Sequence, residues 1–434
     1  MCNRYRLGLS RNRLFEFDST LVFCGAFKSF PEESEVQKAL SMLSCKVPAI
    51  TSKVDLLGNA EAFVVTDCVQ VNAEFSSSTV DELTRFYEKN PLQFCDKLFE
   101  FKISKDGYLV IAGHTVFCDA KSLLRLASYF AGFYSKTELS VEPEEIYTFS
   151  EPKSLPVDVV SPLVNKLSSE LDDSWQKNAR TYTEEDYIKA RHNYLKKAGD
   201  VGKLTFSLSS DNVADLRNKC IESEIDFSSA VCFAFYKAIK STVKSHRKSS
   251  KIRVFADRRY FHGGNRNYSV GAYSGAVAIH LTPKEFKKPA DEQLKLFHTD
   301  LYRAVTSPFR AFSDDVMLSN VQNSFCDSSY MYMAGENKFK SSKNLAETYG
   351  CMNEELCEFF YCNLTQKFWN GLRFYRNVLV REPFKPYRST FNVSVVERVD
   401  GCLCELRYDT GRASENEANE ILKKAEKYLF QLKK

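Results

Sequence analysis

The chain has 434 residues, 44% of them hydrophobic, enough for two well-buried cores in domains of about 200 residues each. Its 60 basic and 56 acidic residues leave a net charge of +4 without long runs of one sign, which gives no reason to expect nucleic acid or a membrane surface as partner. No apolar run approaches the roughly 20 residues of a membrane span, and the N-terminal MCNRYRLGLSRNRLFEFD lacks the apolar core of a signal peptide, so the expectation is a cytoplasmic protein without a transmembrane segment.

In chain order, Val36, Ala39, Leu40 and Leu43 form one apolar stripe between Pro31 and Pro48, predicting a helix that packs on a sheet. Glu61 to Thr66 and Cys68 to Ala73 have strand composition, and Thr79 with Glu82 makes a capping box for a helix through Tyr87. Leu98 to Ile103 alternates apolar and polar residues, turns at Lys105-Asp106-Gly107, and returns as a β-prone strand, Tyr108 to Gly113. From Ser122 to Phe130 apolar residues then recur at helical spacing, so His114 and Asp119 fall in a tight strand-to-helix connection.

Between Glu138 and Tyr187 the periodicity fades among prolines and acidic residues, which reads as a connection between halves. The expected boundary puts 1–175 in the first half and 176–434 in the second. The second half opens with a strand, Lys203 to Leu208, then Asp211 as cap of an amphipathic helix carrying Val213, Leu216 and Cys220. A more apolar helix, Phe227 to Ile239, follows. Ile252 to Ala256 is a strand running into Asp257-Arg258-Arg259, Gly275 to Leu281 another, and Lys284 to Ala304 is helical. Residues 310–375 are aromatic and cysteine-rich without clear period, and no element is assigned there. Strands at Phe391 to Val396 and Cys402 to Tyr408 flank an Asp400-Gly401 turn, and Ser414 with Glu417 caps the last helix.

Among the 14 cysteines, Cys351, Cys357, Cys362, Cys402 and Cys404 lack the paired spacing of a zinc site, so the thiols are expected reduced and no metal site is assigned. His192, His246, His262, His280 and His298 are scattered. The basic stretch Lys240 to Lys251 is read either as a solvated helix end or as a contact for the phosphate of coenzyme A or of a carrier-protein arm.

One stretch concentrates the chemistry: Tyr108 to Ser122, YLVIAGHTVFCDAKS. It resembles the HHxxxDG motif, often followed by xS, of the acyltransferase superfamily that contains chloramphenicol acetyltransferase, peptide-synthetase condensation domains and the alcohol acetyltransferases. Asp119 and Ser122 match the motif's Asp and Ser, His114 falls on its first His, Ala120 replaces its Gly, and Thr115 replaces its second His. The element order is similar too. The resemblance implies an α/β fold of two chloramphenicol acetyltransferase-like halves, each a mixed sheet covered by helices, with a cleft or tunnel between them.

It also implies acyl transfer from a coenzyme A or phosphopantetheine thioester to a hydroxyl or amine acceptor, with a carrier protein as one source of donor and no bound cofactor. The motif's second His is the general base there, and a threonine hydroxyl cannot replace an imidazole in that role. Two expectations follow for His114: it serves as base after a local shift such as a β-bulge at Gly113, or it is a structural histidine at the strand end. A non-catalytic protein that binds an acyl thioester, carrier protein or lipid is the alternative function. By the same resemblance Arg259, in Asp257-Arg258-Arg259, is the structural partner of Asp119; a lone helix-capping aspartate is the plainer reading. Asn392 and Ser394 would face the channel, where a hydroxyl can stabilise an oxyanion, and Tyr273 and Ser274 would line it; solvated polar residues on a strand face are the simpler account.

Overall fold

The computed structural model describes residues 3–57, 61–137, 139–146, 162–243, 251–262, 269–319, 321–348, 355–365, 367–385 and 388–432. The first half runs through strands β1 (Arg4–Arg6) and β2 (Thr20–Ala26), helix α1 (Glu33–Lys46), strands β3 (Lys53–Leu56), β4 (Ala62–Val65) and β5 (Ala73–Phe75), helix α2 (Val80–Lys89), the hairpin of β6 (Phe99–Ile103) and β7 (Tyr108–His114), and helix α3 (Ala120–Tyr134). Helices α4 (Pro162–Gln176) and α5 (Glu184–Leu195) lead to the second half.

There β8 (Val201–Ser209), α6 (Ser210–Glu222), α7 (Phe227–Thr242), β9 (Ile252–Asp257), β10 (Ser274–Ile279) and α8 (Ala290–Thr306) precede four short helices, α9 (Pro308–Ala311), α10 (Ser313–Ser319), α11 (Asn323–Ala334) and α12 (Lys340–Thr348). Strands β11 (Glu355–Asn363), β12 (Arg376–Arg381), β13 (Ser389–Arg398) and β14 (Gly401–Asp409), then helix α13 (Glu415–Gln431), complete it.

Each half has its own mixed sheet. The first is five-stranded in the order β12-β2-β7-β6-β5 and the second six-stranded in the order β10-β9-β11-β13-β14-β8, with a small sheet β1-β4-β3 beside the first. The α1 stripe of Val36, Ala39, Leu40 and Leu43 is buried with Leu123, Leu126, Ala127 and Phe130 of α3 in one core. A second core packs α7, α8 and α13 on the six-stranded sheet through residues such as Phe235, Phe297 and Leu429. Burying a Leu, Val or Phe side chain is worth about 1.5–3 kcal/mol, so each stripe is a substantial driver of its half. The halves are not independent. Strand β12 leaves the second half to pair with β2, and α11 and α12 pack into the first core through Phe325, Met331 and Leu345.

The capping boxes at Thr79–Glu82 and Ser414–Glu417 form. Four expectations need correction. Cys68 to Asn72 is irregular, and the strand begins only at Ala73, where its N–H and C=O engage the Gln37 side-chain amide. The presumed connection holds α4 and the start of α5, whose apolar anchors Trp175 and Tyr187 are hidden in sequence by the prolines and acidic residues around them. Ser209, not Asp211, caps α6 by accepting the Asn212 N–H. The stretch from 310 onwards contains α10, α11, α12 and β11. No described helix is long and apolar enough to cross a membrane.

Candidate functional site

Strand β7 brings His114 to the end of the five-stranded sheet, paired with Thr20 of β2. The β2–β7 register runs unbroken from Ala26↔Tyr108 to Thr20↔His114, so the bulge at Gly113 that would redirect His114 is not formed. Gly113 serves packing instead: a Cβ there would lie 2.9 Å from Cys118 Sγ and 3.0 Å from Leu123 Cδ2. His114 is fully buried, edge-on to Phe94 at 6.1 Å between ring centroids, and its Nδ1 accepts the Val116 N–H at 3.2 Å. Its Nε2 is buried without a partner. Burial pushes the imidazole down to about 3, so at neutral pH the ring is uncharged and lines neither of the two cavities described below.

The other end of the motif is held by a buried ion pair. Arg259 donates to both oxygens of Asp119, at 2.7 and 2.8 Å, and to Ser122 Oγ at 2.9 Å. Asp119 also caps α3, accepting the Ser122 N–H at 2.8 Å, and accepts the Tyr273 N–H at 3.1 Å. The two readings of Asp119, ion-pair partner and helix cap, are thus one arrangement. Burial opposes the Arg259 charge, but Asp119 outweighs it and holds the guanidinium proton more tightly than usual. Ser122 Oγ donates to Gly271 O and accepts its N–H, joining α3 to the second half. Arg258, beside it, pairs with Asp315 instead.

Thr115 lies just past β7, its Oγ1 buried without a partner, on the wall of a cavity of about 40 Å³ shared with Glu16, Asp119, Ser274 and Glu382. A larger pocket of about 510 Å³ opens between the halves, with Ser19, Thr20 and Tyr87 on one side, Val201, Lys203 and Arg407 on the other, and Glu382 and Pro383 in both cavities. Asn392 and Ser394 face inward from β13 but line neither cavity. Asn392 Oδ1 accepts from Arg407 at 2.7 Å, and the Ser394 hydroxyl donates to the same oxygen at 3.4 Å. Tyr273 is fully buried, its ring under Arg259 at 4.4 Å and its hydroxyl 2.5 Å from Ser269 Oγ.

Sequence reasoning missed the charges that fill the space between the halves. Glu16 accepts from Lys385 at 2.5 Å and Arg388 at 3.2 Å; burial alone would push its carboxyl up, but the two cations outweigh it and hold it down at about 2. Arg381 pairs with Glu405 at 2.7 Å, and Glu358 is fully buried with both carboxyl oxygens unpartnered. The only sequence signal was charge inside strands (Glu358, Glu405, Arg407) that otherwise read as core. Residues 244–250 of the basic stretch and the side chain of His262 lie outside what the structure describes.

No family model and no curated protein sequence matches the chain. Solved structures do. The epimerization domain from the third module of tyrocidine synthetase B aligns over 100% of this chain and 96% of its own, at 11% identity and a TM-score of 0.65. The fold is that of the condensation-domain and chloramphenicol acetyltransferase-like superfamily. A trichothecene 15-O-acetyltransferase from Fusarium sporotrichioides aligns over 99% of this chain and 95% of its own, at 11% identity and a TM-score of 0.62. The first condensation domain of the calcium-dependent antibiotic synthetase, in complex with a substrate analogue, does so over 99% and 96%, at 10% and 0.60.

Proposed function

We propose that this protein transfers an acyl group from a thioester to a hydroxyl or amine acceptor in the pocket between its halves. The observation that carries this reading is the 510 Å³ pocket itself, which draws walls from both halves and meets the Thr115 cavity at Glu382. A pocket of this size, mixed in polarity, suits a small substrate or the end of a longer one. The Asp119–Arg259 pair supports the reading, because it fixes the loop between β7 and α3 against which a reacting carbonyl would be positioned. The donor is coenzyme A or the phosphopantetheine arm of a carrier protein, with no cofactor resident in the protein, and the reaction belongs to the cytoplasm.

A second reading has its own support: a non-catalytic protein that keeps the fold to bind an acyl thioester, carrier protein or lipid. Thr115 falls where the resembled motif has its base, and His114 lines neither cavity, so an imidazole mechanism would be missing here, at a cost of about 10²- to 10⁴-fold. One assay separates the two. Acyl transfer is measured from acyl-coenzyme A and acyl-carrier donors to a panel of alcohols and amines, for the wild type and Thr115→His. Transfer by the wild type is expected; transfer by the Thr115→His variant alone would mark a lost catalyst and replace the first reading with the second.

A further inference from the structure

An acyltransferase without an accessible imidazole still needs somewhere for the acceptor's proton to go. Among the acids of the site, Glu16 is committed to Lys385 and Arg388, Glu358 lines neither cavity, and Asp18 and Glu88 line the larger pocket but not the Thr115 cavity. Glu382 alone of these lines both.

Its backbone is fixed between β12 and Pro383, where its carbonyl accepts from Arg407 at 2.6 Å. Its side chain is 4% exposed, and the Ala120 N–H at the start of α3 favours its charged form. Around it stand Asp119 and Cys118 of the motif loop, Lys385 of its own segment, Glu358 and Cys362 of β11, and Arg407 of β14. Cys118 is no rival, because burial pushes its thiol well above the ordinary range and away from the thiolate.

We propose that Glu382 is the proton-transfer group of this site, standing in for the imidazole that Thr115 replaces. The proposal rests on the acyl-transfer reading above. As the acceptor oxygen or nitrogen attacks the thioester carbonyl, the new C–O or C–N bond forms and the acceptor's proton passes to the Glu382 carboxylate. The C–S bond then breaks, and the same proton is delivered to the departing sulfur, leaving a free thiol and a neutral balance. A carboxyl suits this only if its proton affinity lies near working pH. Burial, with Asp119 close by, lifts Glu382 to about 8 against the partial opposition of Lys385.

The test is the pH–rate profile of acyl transfer from acetyl-coenzyme A and a longer-chain acyl-coenzyme A to the acceptor panel, for the wild type and Glu382→Gln. Gln keeps the shape of the side chain and one amide oxygen without a titrating proton, and a thermal melt reports whether the variant folds. The wild-type rate should rise with pH and level off above about 8, as the base form fills. Glu382→Gln should lose about 10²- to 10⁴-fold and lose that inflection. An unchanged rate in the variant, or a wild-type profile flat through this range, overturns the role of Glu382 while the acyl-transfer reading stands. If the wild type transfers to no acceptor, the reading itself falls and takes the proposal with it.

Discussion

The two ends of the segment from His114 to Ser122 differ in how completely their polar atoms are used. At the Asp119 end, both carboxyl oxygens, the Ser122 hydroxyl and the Arg259 guanidinium meet partners from the motif loop, β9 and the Gly271–Tyr273 turn. At the other end, His114 Nε2 and Thr115 Oγ1 are buried and unpaired. A satisfied buried network defines one geometry, whereas an unpaired buried group costs free energy and fixes its surroundings less tightly. The segment is thus fully bonded where it joins the halves and unsatisfied a few residues away, at His114 and Thr115.

The sharpest way to break this contrast is at the satisfied end. Arg259→Ala leaves the Asp119 carboxylate buried without its charge partner, and removing one member of such a pair costs about 3–5 kcal/mol. Chemical denaturation should show a loss of that size together with a weaker docking of the two halves. A loss comparable to that of a surface arginine would remove the pair as the joint between them.

How much of this could be read from residues alone follows the same division. The hairpin into His114, the capped helices α2 and α13 and the closing β13–β14 hairpin were legible because period and turn chemistry agree there. Helix α11 was not. It buries Ser324, Asp327, Ser328 and Ser329 beside Phe325 and Tyr330, with Asp327 held by Arg11 at 2.6 Å, so its polar residues interrupt any apolar stripe. Asp119 and Arg259 stand 140 positions apart, and only the motif resemblance could join them. Glu382 carried no local signal, since a glutamate before a proline in a charged loop reads as solvated until β12, Arg407 and the start of α3 close over it.

His114 gives a smaller effect, and one with a sign. In the folded protein burial keeps the imidazole neutral down to about 3, while in the unfolded chain it takes up a proton below about 6.5. Between those values the unfolded state binds more protons, so the stability His114 contributes is present above pH 6.5 and is lost as pH falls towards 3. At pH 5 the difference amounts to about 2 kcal/mol. His114→Leu should abolish that loss, and the gap in melting temperature between wild type and variant should shift in the variant's favour from pH 7.5 to pH 5. A gap independent of pH would place the imidazole in contact with water.

The least disruptive change is the most informative about Thr115. Valine has nearly the same shape, so Thr115→Val removes an unpaired buried hydroxyl without opening a cavity. Elsewhere in a core the exchange of a bonded Thr for Val costs stability; here, with no hydrogen bond to lose, it should be neutral or stabilising by up to about 1 kcal/mol. The same variant leaves Glu382 in place, so its acyl-transfer rate should stay at the wild-type level if the threonine hydroxyl has no part in the reaction. A large fall in rate with stability unchanged would instead give the hydroxyl a part in binding the substrate, and would make the unsatisfied end of the segment a site whose partner arrives only with the ligand.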